Sequence, residues 1–225
     1  KDANATACSQ TAGSAAGCEL MVFDIYSTTN PTYVAGRDTS GSAAGTGSLY
    51  VYTILANGNY LYIGKGNTST ACSQTAGSAI GCELMVFDIS SSTNPTYVAG
   101  RDSSGSLAGV GSIWIYSLAT SSNYLYVGKG YNTTACSDVV GSAIGCEIMV
   151  FDISSTTNPT YVAGRDADGS NNGTTNLVSI RGLSVYQNNL YVTKEGNATA
   201  CSQTAGSAIG CEIMVFDISS TTNPT

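Results

Sequence analysis

The sequence predicts an all-β protein built as a tandem array of four-stranded antiparallel blades, about 3.5 repeats of 64 residues. Three observations lead there. The segment Cys72 to Cys82 recurs unchanged as Cys201 to Cys211, with close copies from Cys8 to Cys18 and from Cys136 to Cys146. The first cysteines of these copies lie 64, 64 and 65 residues apart, so the repeat is a structural unit stacked on itself. Finally, each period alternates short apolar or aromatic runs with Gly, Asn and Pro punctuation, and no window carries a useful 3.6-residue apolar period.

In the repeat that begins near position 111, a first strand covers Ser112 to Ala119 and carries Trp114 and Tyr116. A polar turn, Thr120 to Asn123, leads to a second strand, Tyr124 to Gly128, alternating aromatic and aliphatic residues. The cysteine loop follows. Glu147 to Ile153 forms a third strand, and Asn158-Pro159 turns the chain into a fourth, Tyr161 to Gly164. Four antiparallel strands per tandem unit is the arithmetic of a β-propeller, with a sandwich or an open β-solenoid as the structural alternatives. Residues 1–225 read as one array: a partial blade at 1–46, full blades at 47–110 and 111–175, and a partial blade at 176–225. Starting and ending mid-blade, it is expected to be completed by a longer chain or by a neighbouring molecule.

Composition narrows the function. Apolar residues make up 42% of the chain, enough for a core, whereas charged residues make up 10%, against roughly 25% in ordinary soluble domains. The surface must therefore be Ser, Thr, Asn and Gly. The formal charge is −7, and the eight Lys and Arg are dispersed, which argues against a phosphate-binding face, so no nucleic-acid partner is expected. No apolar run approaches the length that spans a membrane.

Eight cysteines stand in four Cys-x9-Cys pairs. Zinc sites favour closer spacing or His partners, and the chain has no His, so disulfides are the better reading. The expected bonds are Cys8–Cys18, Cys72–Cys82, Cys136–Cys146 and Cys201–Cys211. They imply an oxidising compartment and an extracellular or cell-surface location. Before each first cysteine stands an Asn-x-Ser/Thr acceptor: Asn4, Asn67, Asn132 and Asn197. Asn172 adds another, and all five are candidate glycosylation sites, with polar loop filler as the alternative reading.

Repeated charges read as structure. Arg37-Asp38, Arg101-Asp102 and Arg165-Asp166 recur with the period, as do Asp24, Asp88, Asp152 and Asp217. Blade-to-blade ion pairs and turn caps are expected of them, with Lys65, Lys129 and Lys194 in the same set. Residues Asp166 to Asn171 resemble a calcium loop only faintly, because Leu177 stands where the acidic twelfth ligand belongs. There is no His for a triad and no nucleophile elbow. Only Arg181, Glu195 and Asp138 break the repeat in charge, and they form no constellation legible in sequence. No catalysis, cofactor or metal is expected.

The run Leu84-Met85-Val86-Phe87-Asp88-Ile89-Ser90, followed by Asn94-Pro95, resembles the LVIVD repeat of bacterial and archaeal surface proteins, whose strand reads Leu-Val-Ile-Val-Asp-Val-Ser. Asn59-Tyr60-Leu61-Tyr62-Ile63-Gly64 is similar to that family's preceding strand. The resemblance covers every copy and implies a propeller of unassigned function. The inserted cysteine loop, which lengthens the repeat, is the departure. Together these readings give a non-enzymatic extracellular structural protein, the building block of a surface layer or filament formed by self-association. The alternative is an adhesion or glycan- or protein-binding module, in which Tyr60, Tyr62, Tyr124 and Tyr126 either stack on sugars or simply pack between strands.

Overall fold

The computed structural model describes residues 6–27, 29–45, 47, 49–66, 68–91, 93–109, 113–155, 157–170, 178–196, 198–220 and 224–225. Among these residues thirteen strands are formed: β1 (Leu20–Asp24), β2 (Thr32–Arg37), β3 (Val51–Asn57), β4 (Tyr60–Lys65), β5 (Leu84–Asp88), β6 (Thr96–Arg101) and β7 (Ile115–Ser121) open the series. The rest are β8 (Tyr124–Lys129), β9 (Ile148–Asp152), β10 (Thr160–Arg165), β11 (Ile180–Tyr186), β12 (Asn189–Lys194) and β13 (Ile213–Asp217). They form four antiparallel meanders in chain order, β1-β2, β3-β4-β5-β6, β7-β8-β9-β10 and β11-β12-β13. The fold is thus nearly all-β, a tandem array of antiparallel meanders of which β3-β4-β5-β6 and β7-β8-β9-β10 are four-stranded, as the repeat implies. Helix among the described residues is confined to single 3-10 turns, one in each cysteine loop.

Local chemistry explains the strands. In β5 and β9 the Leu/Ile-Met-Val-Phe run is buried on both faces, because it lies in the middle of a sheet covered by its neighbours. The first hairpin of each of the last three sheets closes with a two-residue loop that needs a left-handed first residue: Gly58 (φ 57), Ser122 (φ 51) and Gln187 (φ 54). Each fourth strand carries a bulge, where the register slips by one residue within Tyr-Val-Ala. The first strands carry another, which leaves Tyr52, Tyr116 and Arg181 as the extra residues opposite β4, β8 and β12. A bulge re-aims a side chain out of the regular alternation.

The core lies between sheets. One cluster joins Tyr62, Leu84 and Val86 of the second sheet to Leu118, Leu125, Met149 and Phe151 of the third. Another joins Tyr126, Ile148 and Val150 to Leu190, Val192, Met214 and Phe216 of the fourth. Each blade therefore buries one face against the next, as stacked repeats must. Tyr62 and Tyr126 are fully buried in these clusters, and Tyr60 and Tyr124 pack partly buried at their margins.

Candidate functional site

Two constellations concentrate the polar chemistry of the chain. The first repeats between blades. At the end of β4 the Lys65 ammonium is fully buried and donates to the carbonyl oxygens of Thr39 (2.5 Å), Ala79 (3.2 Å) and Ile80 (3.3 Å). Thr39 belongs to the preceding repeat and the other two to the cysteine loop of its own, so one side chain ties three segments together. Lys129 does the same with Ser103, Ala143 and Ile144, and Lys194 with Ala167 and Ala208. Burial pushes the Lys65 ammonium down to about 7, against the attraction of Glu83, Asp38 and Glu19. Burial likewise raises the Glu83 carboxyl to about 8, although Ser103 and Thr68 donate backbone N–H groups to it and Lys65 lies near.

The recurring arginines and aspartates do not pair with one another. Arg37 reaches the next blade and donates to Asn94 Oδ1 (2.6 Å), and Arg101 donates to Asn158 Oδ1 (2.7 Å). Asp102 caps its own turn, accepting from Ser104 N, Ser104 Oγ and Ser106 N at 2.7–3.0 Å. The blade-to-blade contacts expected as ion pairs are therefore charge-assisted hydrogen bonds to neutral amide oxygens. An amide acceptor satisfies a buried guanidinium without the cost of desolvating a second charge. The exception is Asp138, which takes the place of Gln74. Its Oδ1 accepts from Gly164 N (2.7 Å), as Gln74 Oε1 does from Gly100 N, and its other oxygen lies 3.8 Å from Arg165.

The cysteine loops close with bonds Cys8–Cys18, Cys72–Cys82, Cys136–Cys146 and Cys201–Cys211. Four disulfides fit an oxidising compartment. The first three loops are also sewn to the fourth strand: Tyr33, Tyr97 and Tyr161 Oη donate to Ser9 O, Ser73 O and Ser137 O, and Gln74 Nε2 donates to Gly100 O and Leu107 O. Of the five Asn acceptors, Asn132 alone lies among the described residues. It is half-buried beside exposed Thr133 and Thr134, and its Oδ1 accepts from Thr134 N (2.7 Å). Asn4, Asn67, Asn172 and Asn197 lie outside the described residues. Asp166 and Asp168 serve a turn cap, and no group of three metal-ligating side chains forms among the described residues. No described helix is long and apolar enough to cross a membrane.

The second constellation does not repeat, and sequence reading missed it. The first strands of successive sheets lie side by side, and their bulge residues touch in turn. Tyr52 meets Tyr116 edge to face (5.0 Å between centroids), and the Arg181 guanidinium sits 4.1 Å over the Tyr116 ring. Tyr50 stacks on Tyr52 (6.0 Å), and Trp114 lies tilted against Tyr116 (5.9 Å). Arg181 Nε donates to Glu195 Oε1 (2.8 Å), and the two form an exposed ion pair. Burial opposes the Arg181 charge, but Glu195 and Tyr116 outweigh it and hold its pKa above the usual arginine value. Burial would raise Glu195, yet Arg181 holds it below the usual carboxylate range. Tyr50, Tyr52 and Trp114 remain between two-fifths and half exposed. The signal was present as a double departure: Arg181 replaces the tyrosine of the other copies, and Glu195 replaces Gly66 and Gly130.

Compared with models of known protein families and with curated protein sequences, the chain matches none.

Proposed function

We propose that this protein is a non-enzymatic extracellular structural protein, a building block of a surface layer or filament assembled through β-repeat contacts. One observation carries the reading. Consecutive repeats meet through one recurring joint: Lys65 and Lys129 donate to Thr39 O and Ser103 O of the preceding repeat, Arg37 and Arg101 donate to Asn94 and Asn158 of the following one, and apolar clusters join sheet to sheet. A joint between near-identical units is interchangeable, so the same contact made between molecules, where it does not close on itself, propagates.

Other observations support the same reading. The recurring charges are spent on internal hydrogen bonds, which suits a rigid unit rather than a reacting centre. The disulfides and the Asn132 acceptor, half-buried beside exposed Thr133 and Thr134, suit an extracellular setting with covalent glycans. The resemblance of residues 84–90 to the LVIVD strand points to a cell-surface propeller.

Electron microscopy and light scattering on the native protein test it. Regular filaments or sheets are expected. A parent protein that stays monomeric at high concentration would remove the assembly reading.

A further inference from the structure

In a near-identical array the departures from repetition mark where one place differs from the others. Three such departures meet where the first strands begin and the second strand of the last sheet ends. Tyr50 becomes Trp114 and then Ser179; Tyr52 and Tyr116 become Arg181; Gly66 and Gly130 become Glu195. The structure brings these residues together on one exposed strip, with the bulges of β3, β7 and β11 re-aiming Tyr52, Tyr116 and Arg181 toward each other. The sole tryptophan of the chain stands in it.

We propose that the strip of Tyr50, Tyr52, Trp114 and Tyr116, with the Arg181–Glu195 pair at one end, is a binding site for a neutral, extended saccharide. Aromatic faces held part-exposed on rigid strands present large contact area at little entropic cost, and the C–H faces of pyranose rings are flat apolar surfaces that pack on them. The polar end supplies what hydroxyl groups need. Arg181 is a planar fork of donors and Glu195 an acceptor, side by side and exposed by 46% and 37%, so adjacent hydroxyls can accept from one and donate to the other. Because the two charges cancel, the site favours an uncharged ligand, in a protein whose net charge of −7 already repels acidic polymers.

Two other occupants fit less well. A proline-rich peptide also packs on tyrosine and tryptophan, but it offers mainly carbonyl acceptors and so adds no donor for Glu195. A second copy of the chain would bury the Arg181–Glu195 pair and carry its desolvation cost. The inference is independent of the assembly reading, since a monomer and a filament subunit both carry the strip.

Trp114 is its own reporter. Titration of the full chain with neutral cello-, malto-, manno- and chito-oligosaccharides, followed by tryptophan emission and calorimetry, is expected to give a saturable shift with at least one of them. Tyr50→Ala and Arg181→Gln should each weaken that binding about tenfold or more, as for truncation of an exposed anchor, with the melting temperature little changed. Three results would each overturn the proposal. One is no emission change and no heat with any saccharide. Another is binding as tight in Tyr50→Ala as in the parent. The third is an emission shift produced only by a proline-rich peptide or by raising the protein concentration.

Discussion

The three interblade lysines set the terms at the scale of single residues. A buried ammonium is tolerable only because carbonyl oxygens surround it and carboxylates lie near; without them its desolvation would dominate. Replacing Lys129 by Met removes the donor from three buried carbonyls and, by taking away the cation that lowers it, leaves the Glu147 carboxyl protonated. Unfolding in urea should show a loss of roughly 1–3 kcal/mol, the range for buried polar groups left without a partner. The same groups shape the pH response. Glu83 is raised to about 8, so the folded state holds a proton that the unfolded chain releases at its ordinary value, and stability falls as pH rises through that window. Lys65 is lowered to about 7, so from there to its ordinary value the unfolded chain holds the extra proton, and stability climbs with pH. Melting temperatures measured across pH should pass through a minimum between about 7 and 8. A maximum there would mean that the pair stays fully ionised.

Within the individual elements, the hairpins and cysteine loops differ in how much local sequence explains them. The loop between β11 and β12 requires a left-handed residue and has Gln187 (φ 54), where the corresponding hairpin of the second sheet uses Gly58. Gln187→Gly should therefore raise stability by about 1 kcal/mol, the cost of that conformation for a residue with a Cβ, as read from the shift in melting temperature. Close approach fixes another glycine. A Cβ on Gly100 would lie 2.6 Å from Tyr97 Oη and against the Cys82 sulfur, so Gly100→Ala is expected to loosen the loop from β6. Thiol reactivity of the loop, measured under mild reduction, would rise in that variant. Opening Cys72–Cys82 by a double Cys→Ala substitution should cost roughly 2–3 kcal/mol in the chain-entropy view of a short loop.

For the whole molecule, what matters is how blades meet. Between the second and third sheets one Lys, one Arg and an apolar cluster recur, so the interface is a repeated joint. Asn158→Ala should strand the Arg101 guanidinium, whose acceptor across the joint it supplies. A loss of roughly 1–3 kcal/mol is expected, the range for an orphaned buried donor. If the joint is the cooperative unit, the whole array will unfold in one transition at lower denaturant. Separate transitions for the sheets would show that the blades are stable alone.

Much of this was legible in residue order. A 64-residue period, Gly and Asn-Pro punctuation and alternating apolar runs determined four antiparallel strands per repeat, with ends within a few residues of those observed: Ser112 to Ala119 became Ile115–Ser121, and Tyr161 to Gly164 became Thr160–Arg165. These are local signals, carried by backbone conformation and by which faces must leave water. Partners across the blade interface were not legible. That Arg37 bonds Asn94 rather than a carboxylate, that Lys65 binds carbonyls, and that Tyr62 is core while Tyr52 is surface all depend on residues brought together from different repeats. The aromatic strip belongs to the same class. Arg181 and Glu195 are 14 positions apart and look like isolated departures, until antiparallel pairing of β11 and β12 places them side by side and the neighbouring sheet supplies Tyr116. Sequence alone determined the blade, because strand and turn preferences act within a few residues. Tertiary structure decided the joints and the strip, because hydrogen bonds and ring contacts depend on distance in space.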